Sequence, residues 1–222
     1  MVINSFAKIN LTLKVNSKSK NGLHEVQTLY SWINLFDKIN VTEIKKNKDR
    51  ITFIGPFAKL VKKKNNTVYN LLKKLRELNL IYNYYSIVIT KNIPVFSGLG
   101  GGSSNAAFIL NYLLKSKINN ILLNKLEKVI GTDLKLFFNN HGYLKNLRTI
   151  VSIKKKHKFC FLLIQPKIKC STKKIYSKVK KFSAKESLNK NIIKSKTRFL
   201  DYLSKSRNDL QFIVEREYPI IK

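Results

Sequence analysis

The sequence predicts an α+β protein, because stretches that alternate apolar and polar residues and stretches with helical periodicity occur in the same chain. Residues 5–15 alternate loosely, which is typical of a strand. Residues 66–80 carry apolar side chains at the spacing of an amphipathic helix, at Val68, Leu71, Leu72, Leu75 and Leu78. At 222 residues the chain is long enough for a real hydrophobic core and for one large or two small domains.

The other predicted elements follow the same two periodicities along the chain. Further strands are predicted at residues 25–34, 37–42, 51–54, 86–90 and 159–164, the last as a buried type. Further helices are predicted from residue 104 to about 114, and at residues 122–130, 172–180 and 197–203. A shift in composition at residues 154–156 predicts a domain boundary near residue 155.

The charge balance is strongly basic, with 44 Lys and Arg against 12 Asp and Glu and a formal net charge of +32. Such a charge raises the question of a nucleic-acid partner. The excess is nearly all Lys, 38 against 6 Arg, although Arg is preferred for bidentate contacts to phosphates and bases. Abundant Lys and Asn with few Ala indicate an A/T-rich genome instead. We therefore expect no specific nucleic-acid partner, and a basic nucleic-acid-binding module stays an alternative.

Features of membrane and secreted proteins are missing from the sequence. The longest apolar run, residues 159–164, has six residues, whereas a helix that crosses a bilayer needs roughly 20. The first residues lack the basic start and the continuous apolar core of a secretory signal. The two cysteines, Cys160 and Cys170, cannot build a disulfide framework. We therefore expect a reduced, cytoplasmic protein without a membrane partner.

The most informative segment is PVFSGLGGGSSNAA, residues 94–107. We call its first part, residues 94–104, the glycine loop. Its four glycines permit positive φ angles and close approach of the backbone to a ligand. Ser103, Ser104 and Asn105 are residue types that cap a helix N-terminus, where free N–H groups and the helix dipole attract anions. The loop lacks the Gly-Lys-Ser/Thr of a Walker A motif and the third glycine of a dinucleotide fingerprint. It therefore predicts a phosphate site, with a simple capped turn as the alternative.

The glycine loop resembles the phosphate loop of the GHMP kinases, a family that includes galactokinase and mevalonate kinase. Other segments resemble the same family: AKINL at residues 7–11, NGLHEVQTL at 21–29, GTDL at 131–134 and RNDL at 207–210. Thr172 and Tyr176 also match the pattern of this family. Two departures stand out, because Leu23 occupies a position that is usually Tyr and Lys135 one that is usually Pro.

The resemblance implies a two-domain fold, with a ribosomal S5 domain 2-like N-terminal domain over residues 1–155 and a ferredoxin-like C-terminal domain over 156–222. The family's Gly-Ser/Thr-Gly motif does not occur before Lys222, so we expect the second domain to be incomplete. The implied activity is transfer of a phosphoryl group from ATP, with Mg²⁺, to the 2-hydroxyl of 4-diphosphocytidyl-2-C-methyl-D-erythritol in non-mevalonate isoprenoid synthesis. An inactive copy and a GHMP kinase for another alcohol are the alternatives. A monomer or weak homodimer is expected.

The resemblance also implies roles for single residues. Asp133 would be the catalytic base and Lys8 its catalytic partner. The ATP site would comprise Pro94, Val95, Phe96, Ser97, Gly98, Leu99, Gly100, Gly101, Gly102, Ser103 and Ser104. The substrate site would comprise Asn10, His24, Thr172 and Tyr176, with His24 and Tyr176 around the cytosine. The residues alone leave plainer interpretations open: a turn cap for Asp133, a solvent-facing strand position for Lys8, an exposed loop for His24 and helix packing for Tyr176.

Overall fold

The computed structural model describes residues 2–20, 22–154, 157–166 and 168–222. Its strands are β1 (Val2–Asn10), β2 (Lys14–Lys18), β3 (His24–Ile44), β4 (Arg50–Ile54), β5 (Tyr84–Thr90), β6 (His141–Asn146) and β7 (Thr149–Ser152). Its α-helices are α1 (Thr67–Glu77), α2 (Gly101–Leu114), α3 (Asn120–Ile130), α4 (Thr172–Ser177), α5 (Lys190–Lys194), α6 (Lys196–Lys205) and α7 (Gln211–Glu217). Short 3₁₀ helices occupy Ala58–Leu60, Lys115–Lys117, Thr132–Phe138 and Pro219–Ile221. The predicted α+β class is therefore confirmed.

The chain divides into two compact units. Unit 1 comprises Met1–Lys8 and Trp32–Asn140, and unit 2 comprises Ile9–Ser31 and His141–Lys222. Strand β3 belongs to both, because its first part lies in unit 2 and the rest in unit 1. The predicted boundary near residue 155 falls outside the described residues, as does Asn21 of the NGLHEVQTL segment. The division into family domains stays a prediction.

Unit 1 is a sheet covered by helices. Strand β5 pairs antiparallel with β3, with Ile89 opposite Ile39, and parallel with β4, with Ile87 opposite Ile51. The alternation in β5 turns Ile87 and Ile89 into the core, where they pack with buried residues of α1, α2 and α3. Asn66 ends the preceding loop and caps α1, since its side chain accepts a hydrogen bond from the Tyr69 N–H at 2.9 Å. The amphipathic helix predicted over residues 66–80 is therefore confirmed.

Strand β3 corrects one prediction. The sequence predicted two strands, at residues 25–34 and 37–42. The structure has a single strand, His24–Ile44. Asp37 is fully buried within this strand, and its carboxylate accepts the backbone N–H groups of Asn92 and Ile93, so bonds to another segment satisfy a charged side chain inside the strand.

Unit 2 contains a second, smaller core. Strand β3 pairs antiparallel with β2 and with β6, and β6 pairs antiparallel with β7. Leu29 and Tyr143 lie opposite each other in this sheet and pack with Ile193 and Phe199. No helix among the residues that the structure describes is long and apolar enough to cross a bilayer.

The buried strand predicted at residues 159–164 is wrong. The structure assigns neither helix nor strand there, and Leu162 and Ile164 are 87% and 83% exposed. Among the strand pairings of the described residues, none involves this segment. A strand needs hydrogen-bond partners on a neighbouring strand, so an apolar run by itself does not make one.

Arg76, near the end of α1, provides a test of what stabilises unit 1. Its guanidinium holds Asp49 through two hydrogen bonds of 2.7 and 2.8 Å, and the Tyr85 N–H donates to the same carboxylate at 2.8 Å. We expect Asp49→Asn to lower the free energy of unfolding by about 2 kcal/mol, since a partly buried guanidinium loses its carboxylate. Urea unfolding measures this loss. Glu77→Gln, which breaks the exposed pair with Lys74, is the control, and equal midpoints in the two variants would contradict the expectation.

Candidate active site

Unit 1 brings Lys8 and Asp133 together. The Lys8 side chain is buried on β1, and its Nζ lies 3.4 Å from Oδ2 of Asp133, which is 43% exposed. Asp133 stands in the first turn of the 3₁₀ helix Thr132–Phe138, directly after α3. The Lys8 N–H donates to the Leu99 carbonyl at 3.0 Å, which joins β1 to the glycine loop. A cation, a half-exposed carboxylate and the loop therefore belong to one local arrangement.

The 3₁₀ helix that carries Asp133 is held from several sides. Leu134 is fully buried, and the indole N–H of Trp32 donates to the Leu136 carbonyl at 3.0 Å. Lys135 is buried as well, with its Nζ 2.8 Å from Glu127 Oε2 and 2.7 Å from Asn124 Oδ1 on α3. Burial raises the pKa of the Glu127 carboxyl, and Lys135 opposes that shift.

Lys135 is a residue whose role sequence reasoning missed. The departure from proline at this position was visible in the sequence, but the partners of Lys135 were not, because Asn124 and Glu127 lie in the preceding helix α3. An acidic residue eight positions before a lysine gives no local signal of an ion pair.

The glycine loop leads from β5 into α2, as the sequence predicted, but the residue that caps the helix differs from the prediction. Ser103, Ser104 and Asn105 were predicted to cap the helix, but they are the third to fifth residues of α2 and the N-cap is Gly100. Gly100 has φ +72°, and a Cβ there would approach the Phe137 ring to 2.8 Å. The loop therefore needs glycine at this position for both backbone and steric reasons.

The first turn of α2 fits an anion. The first four N–H groups of a helix lack partners inside the helix, and the dipole makes this end positive. Ser97 stabilises the first part of the loop, because its Oγ donates to the Pro94 carbonyl at 2.8 Å and accepts from the Leu99 N–H at 3.4 Å. Phe96 has φ +65° and is 44% exposed. The other loop residues assigned to ATP, Val95, Gly98, Gly101 and Gly102, lie in the same segment, half-buried or exposed.

Unit 2 brings two of the four predicted substrate residues together. The rings of His24 and Tyr176 are 5.2 Å apart between centroids and tilted by 40°. Phe182, which sequence reasoning did not single out, lies 6.4 Å from His24 on the same measure. Thr172 is exposed one turn before Tyr176 on α4, and Asn10 is half-buried at the end of β1.

His24 has an unsatisfied polar atom. Its Nε2 is buried and has no hydrogen-bond partner within the described part of the chain. Burial, and then the charge of Lys18, lower the pKa of the imidazole, which favours the neutral form of the ring. A buried ring nitrogen without a partner is costly unless a ligand or water fills the position.

Comparison with known families finds one family model that matches this chain. The pattern of the GHMP kinases N terminal domain matches residues 66–135, which include α1, the glycine loop and Asp133. The match identifies a class of small-molecule kinases, and membership of that class implies the use of ATP.

Relatives narrow the class. The chain is 39% identical to 4-diphosphocytidyl-2-C-methyl-D-erythritol kinase of Pelagibacter ubique, over 99% of this chain and 78% of that protein. It is 34% identical to the protein of the same name from Buchnera aphidicola subsp. Schizaphis graminum, over 97% and 74% of the two chains. A crystal structure of 4-(cytidine 5'-diphospho)-2C-methyl-D-erythritol kinase matches the fold with a TM-score of 0.65 and 22% identity, over 99% of this chain and 79% of that one. The chain belongs to the 4-diphosphocytidyl-2-C-methyl-D-erythritol kinase family of GHMP kinases.

Proposed function

We propose that this chain transfers the γ-phosphoryl group of ATP to the 2-hydroxyl of 4-diphosphocytidyl-2-C-methyl-D-erythritol. The observation that carries the proposal is the Lys8–Asp133 pair, whose charged atoms are 3.4 Å apart and whose lysine lies on a strand that is hydrogen-bonded to the glycine loop. The names of the two relatives, which align with nearly the whole chain, support the choice of alcohol.

Phosphoryl transfer requires positioning, charge stabilisation and a group that accepts the hydroxyl proton. We assign the last role to Asp133, whose half-exposed carboxylate is reachable by a substrate. The buried ammonium of Lys8 stabilises negative charge that develops on the attacking oxygen. The N–H groups at the start of α2 hold the phosphates of ATP.

Mg²⁺ belongs to the same proposal, as an ion that arrives with ATP and neutralises phosphate charge. The residues fit this mode of binding. No cluster of three or more His, Cys, Asp or Glu is found among the described residues, and Mg²⁺ bound through phosphates needs only one or two carboxylates. An ion held mainly by the phosphates of ATP leaves the Asp133 carboxylate available as the proton acceptor.

His24, Tyr176 and Phe182 are assigned to the cytosine. An aromatic wall stacks on a pyrimidine, and the unpartnered Nε2 of His24 supplies a hydrogen bond to the base edge. Leu23, which is 47% exposed, would cover the ring less strongly than an aromatic residue. Asn10 and Thr172 stay predicted substrate contacts.

His24→Ala is expected to raise the KM for the cytidine substrate about tenfold, as loss of one hydrogen bond and of ring contact predicts. The KM for ATP is expected to stay unchanged. Steady-state kinetics with each substrate varied in turn separates the two effects. Tyr176→Phe keeps the ring and is the matched control. An equal rise of both KM values would contradict a role at the cytosine.

The direct test of the function is incubation of the purified chain with ATP, Mg²⁺ and 4-diphosphocytidyl-2-C-methyl-D-erythritol. ADP release together with a new phosphomonoester signal in the ³¹P spectrum is the expected result. Homoserine and mevalonate serve as alternative acceptors, and turnover of one of these alone would favour a kinase for another alcohol. ATP binding without turnover of any acceptor would favour an inactive copy.

The remaining expectations on partners and location belong to this proposal. We predict a cytoplasmic enzyme that acts as a monomer or weak homodimer and uses a small-molecule substrate. A nucleic-acid-binding module predicts the opposite behaviour, a steeply salt-dependent affinity for RNA that ATP does not change.

A further inference from the structure

A cluster of buried polar side chains in unit 1 takes no part in the proposed reaction. Asp37 on β3 and Lys91 after β5 form an ion pair, with side chains 0% and 4% exposed. Asn105 on α2 and Ser5 on β1 join them and are equally buried. Four separate segments therefore meet at one buried charge pair.

The hydrogen bonds of Asp37 reach both ends of the glycine loop. One carboxylate oxygen accepts the N–H groups of Asn92 and Ile93, at 2.7 and 2.8 Å, immediately before the loop begins. The other oxygen accepts from Nδ2 of Asn105, at 2.9 Å, immediately after the loop ends. A single carboxylate thus sets the distance between the two ends of residues 94–104. Lys91 reinforces this link by donating to Oδ1 of Asn105 at 3.0 Å.

The same cluster continues to the strand that carries Lys8. Nδ2 of Asn105 also donates to Ser5 Oγ at 3.0 Å, and Ser5 Oγ lies 2.7 Å from Ser104 Oγ. Ser104 in turn donates to the Phe6 carbonyl at 2.6 Å. The first turn of α2 is therefore tied to β1 just before the position of Lys8.

A contribution to folding stability does not by itself explain why this cluster is polar and charged. Removing two charges from water costs several kcal/mol, and apolar side chains of similar size are often as stabilising as a buried ion pair. Burial lowers the pKa of Lys91, and Asp37 opposes that shift. The Asp37 carboxylate accepts three hydrogen bonds from groups at the two ends of the loop. An apolar side chain could accept none of them.

We propose that Asp37, Lys91 and Asn105 are positioning residues that hold the glycine loop in the conformation that binds the phosphates of ATP. The inference rests on the proposed function in one respect, since it takes ATP as the ligand of the loop. It adds that affinity for ATP depends on side chains that do not touch the nucleotide.

The test uses the double variant D37N/K91M, which removes both charges together and leaves no buried ion unpaired. The amide that replaces the Asp37 carboxylate keeps one acceptor oxygen, which cannot serve both the backbone N–H groups before the loop and Asn105 after it. We expect the Kd for ATP with Mg²⁺ to rise at least about tenfold, because small misplacements of binding groups are costly. We also expect faster hydrogen exchange at the amides of residues 95–104.

Asp49→Asn is the matched control, because it replaces another aspartate paired with a cation in the same unit, away from the loop. It is expected to lower stability without changing the Kd for ATP. An unchanged Kd in D37N/K91M, with a drop in stability like that of Asp49→Asn, would overturn the proposal and leave a purely structural role.

Ser5→Ala keeps the inference testable if the double variant does not fold. It removes one uncharged member of the cluster, and we expect the Kd for ATP to rise about threefold, whereas an unchanged value would overturn the proposal. Binding is measured without the alcohol substrate, so a wrong acceptor does not affect the result. Absence of ATP binding by the wild-type chain would instead contradict the proposed function.

Discussion

Asp133→Asn is expected to abolish phosphoryl transfer and to leave ATP binding intact. Asparagine keeps the size of the side chain but cannot accept the hydroxyl proton, and loss of a general base costs about 10²- to 10⁴-fold in rate. The variant should still fold, because Asp133 is 43% exposed and the buried neighbours of its 3₁₀ helix remain, although the buried Lys8 ammonium loses a carboxylate and some stability is lost with it. The kcat from ADP release and the Kd for ATP are the two measurements.

Asp201→Asn is the control for this experiment. Asp201 is an exposed aspartate on α6 that is also paired with a lysine, so it matches the chemical change at a residue that is not assigned to the candidate site. Its kcat should equal that of the wild type. Turnover close to wild type in Asp133→Asn would show that another group accepts the proton.

Gly100→Ala is expected to have the second largest effect, a rise of about 100-fold in the Kd for ATP. The new Cβ would lie 2.8 Å from Cζ of Phe137, and φ of +72° is strained for alanine by about 1 kcal/mol or more. Phe137 is buried in the core and cannot yield easily, so the loop has to move. A loop that has moved no longer directs its N–H groups at the phosphates.

Two companion variants separate the causes. Gly98→Ala has a similar φ of +74° but open space around the new Cβ, so it measures backbone strain alone. The double variant G100A/F137L keeps the strain and removes the aromatic ring, so it should recover part of the affinity. Equal losses in Gly98→Ala and Gly100→Ala would contradict the steric explanation.

Much of this protein could be read from short stretches of sequence. The helices α1, α2 and α3 and the strand β5 follow from periodicity and from cap residues such as Asn66, which act over a few positions. The apolar run at residues 159–164 shows the limit of such reasoning, because a strand is stable only when other segments supply its partners.

The candidate site also has features that the sequence predicts and features that only the structure shows. The glycine loop and GTDL at residues 131–134 were recognisable as motifs, but their relation in space was not. That Lys8 reaches Asp133, that Lys135 reaches Glu127 and that Phe182 lies near His24 depends on contacts between segments far apart in the chain. No pattern within one segment encodes the identity of a partner in another.

By itself, the sequence determined the α+β class, the helices and strands with clear periodicity, and a glycine-rich loop whose composition predicts a phosphate site. Only the tertiary structure decided that β3 continues through Asp37, that Gly100 rather than a serine is the N-cap of α2, and that one buried carboxylate ties both ends of the glycine loop. The physical reason is the range of the forces involved. Backbone propensity acts between neighbours in the chain, whereas burial, ion pairing and side-chain hydrogen bonds are settled when distant segments pack together.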